Sequence, residues 1–386
     1  MLKVIIFSIQ KLLLYISFYI FKTSNVRYNT VIGVTEIASN IKYISEVLPK
    51  SATVCLESNK YYNYNYNYQI VKTVFVKFRY LIKIIYGPVL LGYLSTRTNN
   101  FFYIWSDGFL ISEIDGREFE FSFLNKLKKN IFCFFCGNDI RSPQLEIKLG
   151  QQLKFDVAAN YYKYIQKRML TDEYENTKKK LAMSADKYAK YSFNADIDQK
   201  SYLEKKSLPF LYFFPEHKFN FNVEKFYNIE KLKIIHAPSS PLLKGTQLVR
   251  AAIKKLEIEG YSFDYIELEN TSNEIILDHL RSSHIALNEF FMFMPGLFGV
   301  EAMAKCCVLM TSADETIENS LPSGSNDAWV VTRYYEIYDR LKLLLDHKES
   351  LKEIAQKGYE WAINNTNKRS ELILKEYCNE LFSFDD

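Results

Sequence analysis

The stretch HIALNEFFMFMPGLFGVEAMAKCCVLM, His284 to Met310, decides how this chain is read. Its opening, His284 to Asn288, is short and apolar, which predicts a strand. An aromatic loop holding Pro295, Gly296 and Gly299 follows, then a helix expected from about Gly299 to Lys305 and a second strand from Cys307 to Thr311. A strand that delivers a glycine-bearing loop to a helix N-terminus makes an anion site, because the first helical turn presents unpaired N–H groups and the positive end of the dipole. Glu301 falls in that predicted first turn, where a carboxylate can also accept hydrogen bonds from ligand hydroxyls.

Working outward, the neighbouring segments alternate regularly. KLKIIHAP reads as a strand, followed by a helix capped by Thr246 and running to about Glu259. FDYIELE is a strand and NEIILDHLRSS a helix capped by Asn273. Strands alternating with helices imply a parallel α/β domain. HAPSSPLLKGT joins its first strand to its first helix, with Ser239, Ser240, Lys244 and Gly245 at the turn. A cation beside a helix N-terminus is disfavoured by roughly a few tenths of a kcal/mol, so Lys244 makes sense there if an anion lies between it and the helix. Ser239 and Ser240 add hydroxyl and backbone donors. Two strand-end loops that offer N–H groups, a lysine and a glutamate suit a nucleotide diphosphate sugar, with Lys244 neutralising the diphosphate and Glu301 accepting from ribose hydroxyls. Asp314, Glu315, Ser323 and Asp327 stand in the next loop, as sugar contacts or as solvated side chains. Helices from about Glu336 close the chain.

The amino half opens in the same way. NTVIG, Asn29 to Gly33, predicts a strand; helical apolar spacing follows at Ile37, Ile41, Ile44 and Leu48, and ATVCLE gives the next strand. No G-x-G-x-x-G occurs, so the dinucleotide fingerprint is absent. FFYIWSDGF and NIFCFFCGNDIRSP predict two more strands, with Asp107 past the end of one and Asp139 and Arg141 past the end of the other. The carboxyl ends of parallel strands form the ligand crevice, which makes Asp107, Asp139 and Arg141 candidate acceptor-side groups; turn chemistry selects the same residue types. SLPFLYFFPEHKFNF, with Pro209 and Pro215, reads as an interdomain linker.

Composition bounds the rest. A chain of 386 residues exceeds what one core usually serves, which favours two domains. A net charge of +4 lacks the concentrated basic face of a nucleic-acid protein. Five of the six cysteines sit in apolar, strand-like or helical contexts, as buried thiols of a reducing cytoplasm do, and Cys133 and Cys136 lack the second pair that zinc requires. The single D-x-D, Asp196 and Asp198, is a weak metal signal, and either residue can cap a helix beginning near Gln199. The tract YYNYNYNY, Tyr61 to Tyr68, carries no chemistry. The leader MLKVIIFSIQKLLLYISFYIF is interrupted by Lys3, Gln10 and Lys11 and lacks a small-residue cleavage site, which suits an interfacial helix better than a spanning one; a buried first helix or strand has the same pattern. Ile70 to Leu94 predicts a helix bearing Lys72, Lys77, Arg79 and Lys83, and no acidic residue lies between Lys60 and Ser106. A basic amphipathic helix binds anionic lipid heads; a core helix with solvated lysines has the same pattern.

HAPSSPLLKGT and GLFGVEAMA resemble the donor-binding elements of glycosyltransferase group 1, the family-4-like enzymes. IGVTEIASN, CGNDIRSP and ADIDQKSYL resemble the capsule- and polysaccharide-associated branch of that group. The resemblance runs from Asn29 to the end of the chain. It implies an α/β protein of the GT-B fold, two Rossmann-like parallel-sheet domains facing a cleft. The expected division is a leader over 1–28, an acceptor-side domain over 29–215 and a nucleotide-sugar domain over 216–386. It further implies metal-independent, retaining transfer, with Lys244 stabilising the leaving group and Glu301 recognising ribose. Ser239, Ser240, Gly245, Gly296 and Gly299 complete the donor set; Gly33, Glu36, Asp139 and Arg141 form the acceptor side. Phe293 occupies the place of the first of a pair of glutamates common in the family, with Glu289 nearby. No histidine precedes His217, and Asp107 stands where the family often has one, which makes it the third catalytic candidate.

The sequence thus points to a glycosyltransferase that moves a sugar from a nucleotide diphosphate sugar, its co-substrate, to a hydroxyl of a lipid-linked or oligosaccharide acceptor. It would need no cofactor and no metal, and would work in the cytoplasm, peripherally at the inner membrane face, in cell-surface polysaccharide synthesis. The alternative is a catalytically degenerate scaffold subunit of the same assembly. A third reading, epimerisation of a nucleotide sugar, needs acid–base side chains that the sequence does not place.

Overall fold

Two parallel sheets, one in each half of the chain, organise the computed structural model, which describes residues 2–23, 25–56, 64–70 and 76–383. In the first half the elements are α1 (Leu2–Phe21), β1 (Thr30–Val34), α2 (Asn40–Val47), β2 (Ser51–Cys55), β3 (Tyr68–Gln69), α3 (Val76–Ser95), β4 (Asn100–Ile104), α4 (Glu118–Lys126), β5 (Asn130–Phe134), α5 (Pro143–Leu153), α6 (Tyr162–Ile165), α7 (Asp172–Tyr188) and β6 (Tyr191–Phe193). Strands β1, β4 and β5 are apolar runs with little or no alternation because helices cover both faces, and β1 and β4 are buried at every position.

The second half contributes β7 (Leu232–His236), α8 (Pro241–Lys244), α9 (Thr246–Ile258), β8 (Phe263–Glu267), α10 (Asn273–Ser282), β9 (Ile285–Leu287), α11 (Gly296–Met303), β10 (Val308–Thr311), β11 (Val330–Val331), α12 (Ile337–Asp346), α13 (Leu351–Ile363) and α14 (Arg369–Tyr377).

The sheet orders are β3-β2-β1-β4-β5-β6 and β11-β10-β9-β7-β8, parallel throughout. Chain order reverses between β1 and β4 in the first sheet and between β7 and β9 in the second. Ligands of open parallel sheets bind outside the carboxyl ends of strands at such switch points. The two sites therefore belong after Val34 and Ile104, and after His236 and Leu287.

The leader forms α1, which lies beside α3 and runs in the same direction. Pro88 interrupts α3, and having no N–H it leaves the carbonyl of Ile84 without its helical partner. Gln10 fills that role, its Nε2 donating to Ile84 O at 3.1 Å, and Ser17 Oγ donates to Val89 O at 2.6 Å. Gly92 lets the helices touch: a Cβ there would lie 2.7 Å from Leu14 O. The described part of α3 begins at Val76, so Lys72 and part of the tyrosine tract fall outside the described residues.

The domains are joined through buried polar contacts. Glu318, fully buried, accepts from the backbone N–H groups of Asp196, Ile197 and Asp198 at 3.1, 2.8 and 2.7 Å. Asp198 accepts from Phe293 N at 2.6 Å through one oxygen and pairs with Arg141 at 2.6 Å through the other. Its carboxylate is thus committed within the protein, and residues 196–199 form a turn where a helix start had been expected. The aromatic loop packs between the domains, with Phe293 5.5 Å from Phe155 and Phe291 4.6 Å from Tyr161 by ring centroids. After α14 the chain returns to the first domain, where Asn29 Nδ2 donates to Leu381 O and Asn100 Nδ2 to Glu380 O.

Candidate functional site

At the second switch point a cavity of about 220 Å³ is lined by Ser239 and Lys244 from the loop after β7, Asn270 and Asn273 around the start of α10, and Asn288 and Glu301. Lys244 closes α8, and Gly245 follows in the left-handed region (φ 77°), turning the chain into α9. The Lys244 ammonium pairs with Glu289, whose carboxylate is almost wholly buried. The other carboxylate oxygen of Glu289 lies 3.1 Å from where a Cβ on Gly296 would stand. Glu289 therefore sits between Lys244 and the first residue of α11, the position expected for an anion. The helix that the lysine meets through Glu289 is α11, not α9, the one beside Lys244 in the chain, and a protein carboxylate stands between the two.

Helix α11 starts at Gly296, not near Gly299. Gly296 takes φ 60° after Pro295, while a Cβ on Gly299 would meet Pro295, Leu309 and Asn288 at 3.0–3.2 Å. Gly299 is thus a close-packing position inside the helix. Glu301 is consequently in the second turn. Its carboxylate is buried, accepts from Asn273 Nδ2 at 2.7 Å, and is pushed up to about 7 by loss of hydration. Asn273 serves that carboxylate, and Ser272 holds the N-cap position of α10 that had been expected of Asn273. Asp314 is absorbed in a network with Thr316, Asn326 and Arg333.

A much larger cavity, about 1770 Å³, occupies the cleft at the first switch point. Asp107 lines it and accepts from Thr35 Oγ1 at 2.6 Å, a bond that spans the ends of β4 and β1. Asp139 lines it too, but its carboxyl turns back onto Cys136 N at 3.1 Å and burial raises it to about 6. Three acceptor-side expectations are corrected. Arg141 is buried in its pair with Asp198. Glu36 caps α2, accepting from the N–H groups of Ile41 and Lys42, with Tyr66 donating to it and burial raising it to about 7. Gly33 answers to packing, since a Cβ there would lie 2.6 Å from Val54 O.

The two cavities meet at one peptide: Ser239 lines the smaller and Ser240 the larger. Sequence reasoning missed Asn273, Thr35 and the pairing of Glu289 with Lys244. Asn273 is a single polar residue with no motif around it, Thr35 is one polar residue inside IGVTEIASN with nothing to single it out there, and the third joins positions 45 residues apart.

No protein-family model matches the chain, and no curated protein matches it. Solved structures do. Sucrose-phosphate synthase from Thermosynechococcus elongatus superposes with a TM-score of 0.58 at 9% identity, over 92% of this chain and 99% of that one. WaaG, a glycosyltransferase involved in lipopolysaccharide biosynthesis, gives 0.52 at 12% identity, over 90% and 98%. An alpha-glucosyltransferase solved with UDP and DNA gives 0.51 at 10% identity, over 92% and 99%. Likeness at such identity establishes the architecture: two Rossmann-like parallel-sheet domains facing a cleft, the GT-B fold.

Proposed function

We propose that this chain is a glycosyltransferase, moving a sugar from a nucleotide diphosphate sugar in the smaller cavity to a hydroxyl of a lipid-linked or oligosaccharide acceptor in the larger one. The observation that carries the reading is the shared wall: adjacent residues Ser239 and Ser240 open onto the two cavities, so a donor and an acceptor seated in them approach each other there. At about 220 Å³ the smaller cavity is below the roughly 300–1,000 Å³ of a complete ligand pocket. It fits the nucleoside end, with the diphosphate and sugar extending past Lys244 toward the cleft.

Glu301 would accept from ribose hydroxyls, and Asn273 holds its carboxylate in place. Lys244 and the N–H groups opening α11 would stabilise the charge that develops on the departing diphosphate, the electrostatic work that a transferase most needs. The bond from the anomeric carbon to the diphosphate oxygen breaks, the bond to the acceptor oxygen forms, and the acceptor proton passes to the leaving phosphate oxygen. That route retains anomeric configuration and uses no metal. Asp107, oriented by Thr35, would fix the acceptor hydroxyl. Structural kinship with an enzyme of lipopolysaccharide biosynthesis supports a role in cell-surface polysaccharide synthesis, the capsule-associated branch. The exposed apolar side chains of α1 support peripheral contact with the inner membrane face from the cytoplasm.

A second reading is a scaffold subunit that has lost transfer, favoured by Glu289 standing in the anion position. Thermal stabilisation by a panel of nucleoside diphosphates separates the two, because a ligand that binds only the folded state raises the melting temperature. A shift with one nucleotide, abolished by Lys244→Ala and by Glu301→Ala, supports the transferase; no shift at millimolar nucleotide supports the scaffold.

A further inference from the structure

The loop between β9 and α11 carries Glu289 near its start and hands the chain to Gly296 at its end. Within its own domain it is tied by neutral bonds. Ser312 N donates to Glu289 O at 3.0 Å, Met292 N to Ser312 Oγ at 3.3 Å, and Asn288 Nδ2 to Pro295 O at 2.7 Å. Across the domain boundary the bond is of another kind. Phe293 N donates to Asp198 Oδ1 at 2.6 Å, the one backbone bond from this loop to a charged group among the described residues. A charged acceptor makes a hydrogen bond roughly twice as strong as a neutral one.

Asp198 is itself held by Arg141. The guanidinium donates through Nη2 to the other carboxylate oxygen and through Nε to the Asp198 carbonyl, each at 2.6 Å. Its Nη1 donates to Asn138 Oδ1 at 2.7 Å, and Arg141, Asp198 and Phe293 are all buried. The first domain therefore grips the second domain's loop between Glu289 and Gly296. Cohesion between the domains does not depend on this grip. Glu318 already takes three N–H groups of the same turn, and Asn29 and Asn100 bond the end of the chain.

We propose that Arg141 and Asp198 are positioning residues of the donor site, holding this loop in the conformation that keeps Glu289 on Lys244. This rests on the glycosyltransferase reading and adds to it a control on donor affinity exerted from the other domain. The Glu289 carboxylate is nearly buried, with Lys244 on one side and the start of α11 on the other. It frees the lysine for a diphosphate when the loop shifts, and the Asp198 bond to Phe293 opposes that shift.

The test is a double-mutant cycle on the full chain, read by calorimetry with UDP, GDP and ADP. Asp198→Asn leaves Phe293 N an acceptor but removes its charge and the pair with Arg141. It is expected to raise affinity for the nucleotide that binds by about fivefold, the difference between a charged and a neutral acceptor. In Glu289→Gln, where the lysine is already released, Asp198→Asn is expected to add no gain. Urea denaturation of the same proteins should show an equal loss of stability from Asp198→Asn in both backgrounds, so a merely structural role moves stability and leaves affinity alone. Arg141→Met combined with Asp198→Leu removes the pair without stranding a charge, and takes the place of Asp198→Asn if that variant does not fold. Unchanged or weaker affinity in the Asp198 variant, or the same gain with and without Glu289, overturns the proposal. If no nucleotide binds any of these proteins at millimolar concentration, the transferase reading falls and this control falls with it. Binding without coupling between positions 198 and 289 removes the control alone.

Discussion

Lys244 and Glu289 form an ion pair at the mouth of the smaller cavity, with the carboxylate nearly buried and the ammonium about three-quarters so. Glu289 thus neutralises the lysine charge that a diphosphate would otherwise meet. Glu289→Gln releases the lysine and removes a like charge from the diphosphate position. Nucleoside diphosphate affinity, measured by calorimetry, should rise by about tenfold, in keeping with roughly 1–2 kcal/mol for one nearby charge. Weaker binding in this variant would show that Glu289 serves the ligand instead.

Removing the other partner is the harsher change. Lys244→Ala strands a buried carboxylate, which costs about 3–5 kcal/mol when a buried pair is broken one-sidedly. Lys244→Met combined with Glu289→Met removes both charges and should recover most of that loss. Urea denaturation of the three proteins checks the prediction.

Glu301 makes stability depend on pH. Its ordinary value of 4.5 is raised to about 7 in the folded chain by burial. Between those values the folded chain keeps a proton that the unfolded chain has released, so this group's contribution falls as pH rises from 4.5 toward 7. Glu301→Gln should match the wild type below the lower value and exceed it by about 3 kcal/mol above the upper one. Melting temperatures across that range read the difference; a constant offset would contradict it.

Gln10 ties α1 to α3 through its amide N–H and to the Ile111 N–H through its amide oxygen. Gln10→Leu leaves the Ile84 carbonyl, already deprived of an N–H by Pro88, and the Ile111 N–H without these partners, at a cost of about 1–3 kcal/mol for each. Hydrogen exchange should increase around the middle of α3 and leave β7 to β10 unchanged.

The exposed face of α1 is expected to hold the chain to membranes. Leu12→Glu combined with Ile16→Glu should lower co-flotation with anionic vesicles by at least about tenfold, since each buried apolar side chain contributes roughly 1.5–3 kcal/mol. Nucleotide-induced stabilisation should be unaffected. Equal flotation by both proteins would remove the membrane from the account.

Much of this architecture was readable in advance because alternating strands and helices leave a local signature. The loop after β7, with Lys244 beside a helix start, could be read from HAPSSPLLKGT alone. The start of α11 could not: two glycines three residues apart looked alike, and only the packing of Gly299 against Leu309 and Asn288 shows which one opens the helix. Arg141 and Asp139 were legible as strand-end residues but not as inward-facing ones, because their partners arrive from Asp198 and from the backbone of Cys136. The α1–α3 pairing was hidden for a related reason. It depends on a carbonyl freed by Pro88 and a glutamine 74 residues earlier.

The return of the chain's end to its beginning sets an order on biogenesis. Asn29 and Asn100 are buried polar groups of the first sheet, and the carbonyls they bond belong to Leu381 and Glu380. Those carbonyls follow the whole second domain in the chain. The side chains of Asn29 and Asn100, beside the central strands of the first sheet, therefore gain these partners only once the second domain has been synthesised, so the first domain's polar interior is completed from the far side of its neighbour.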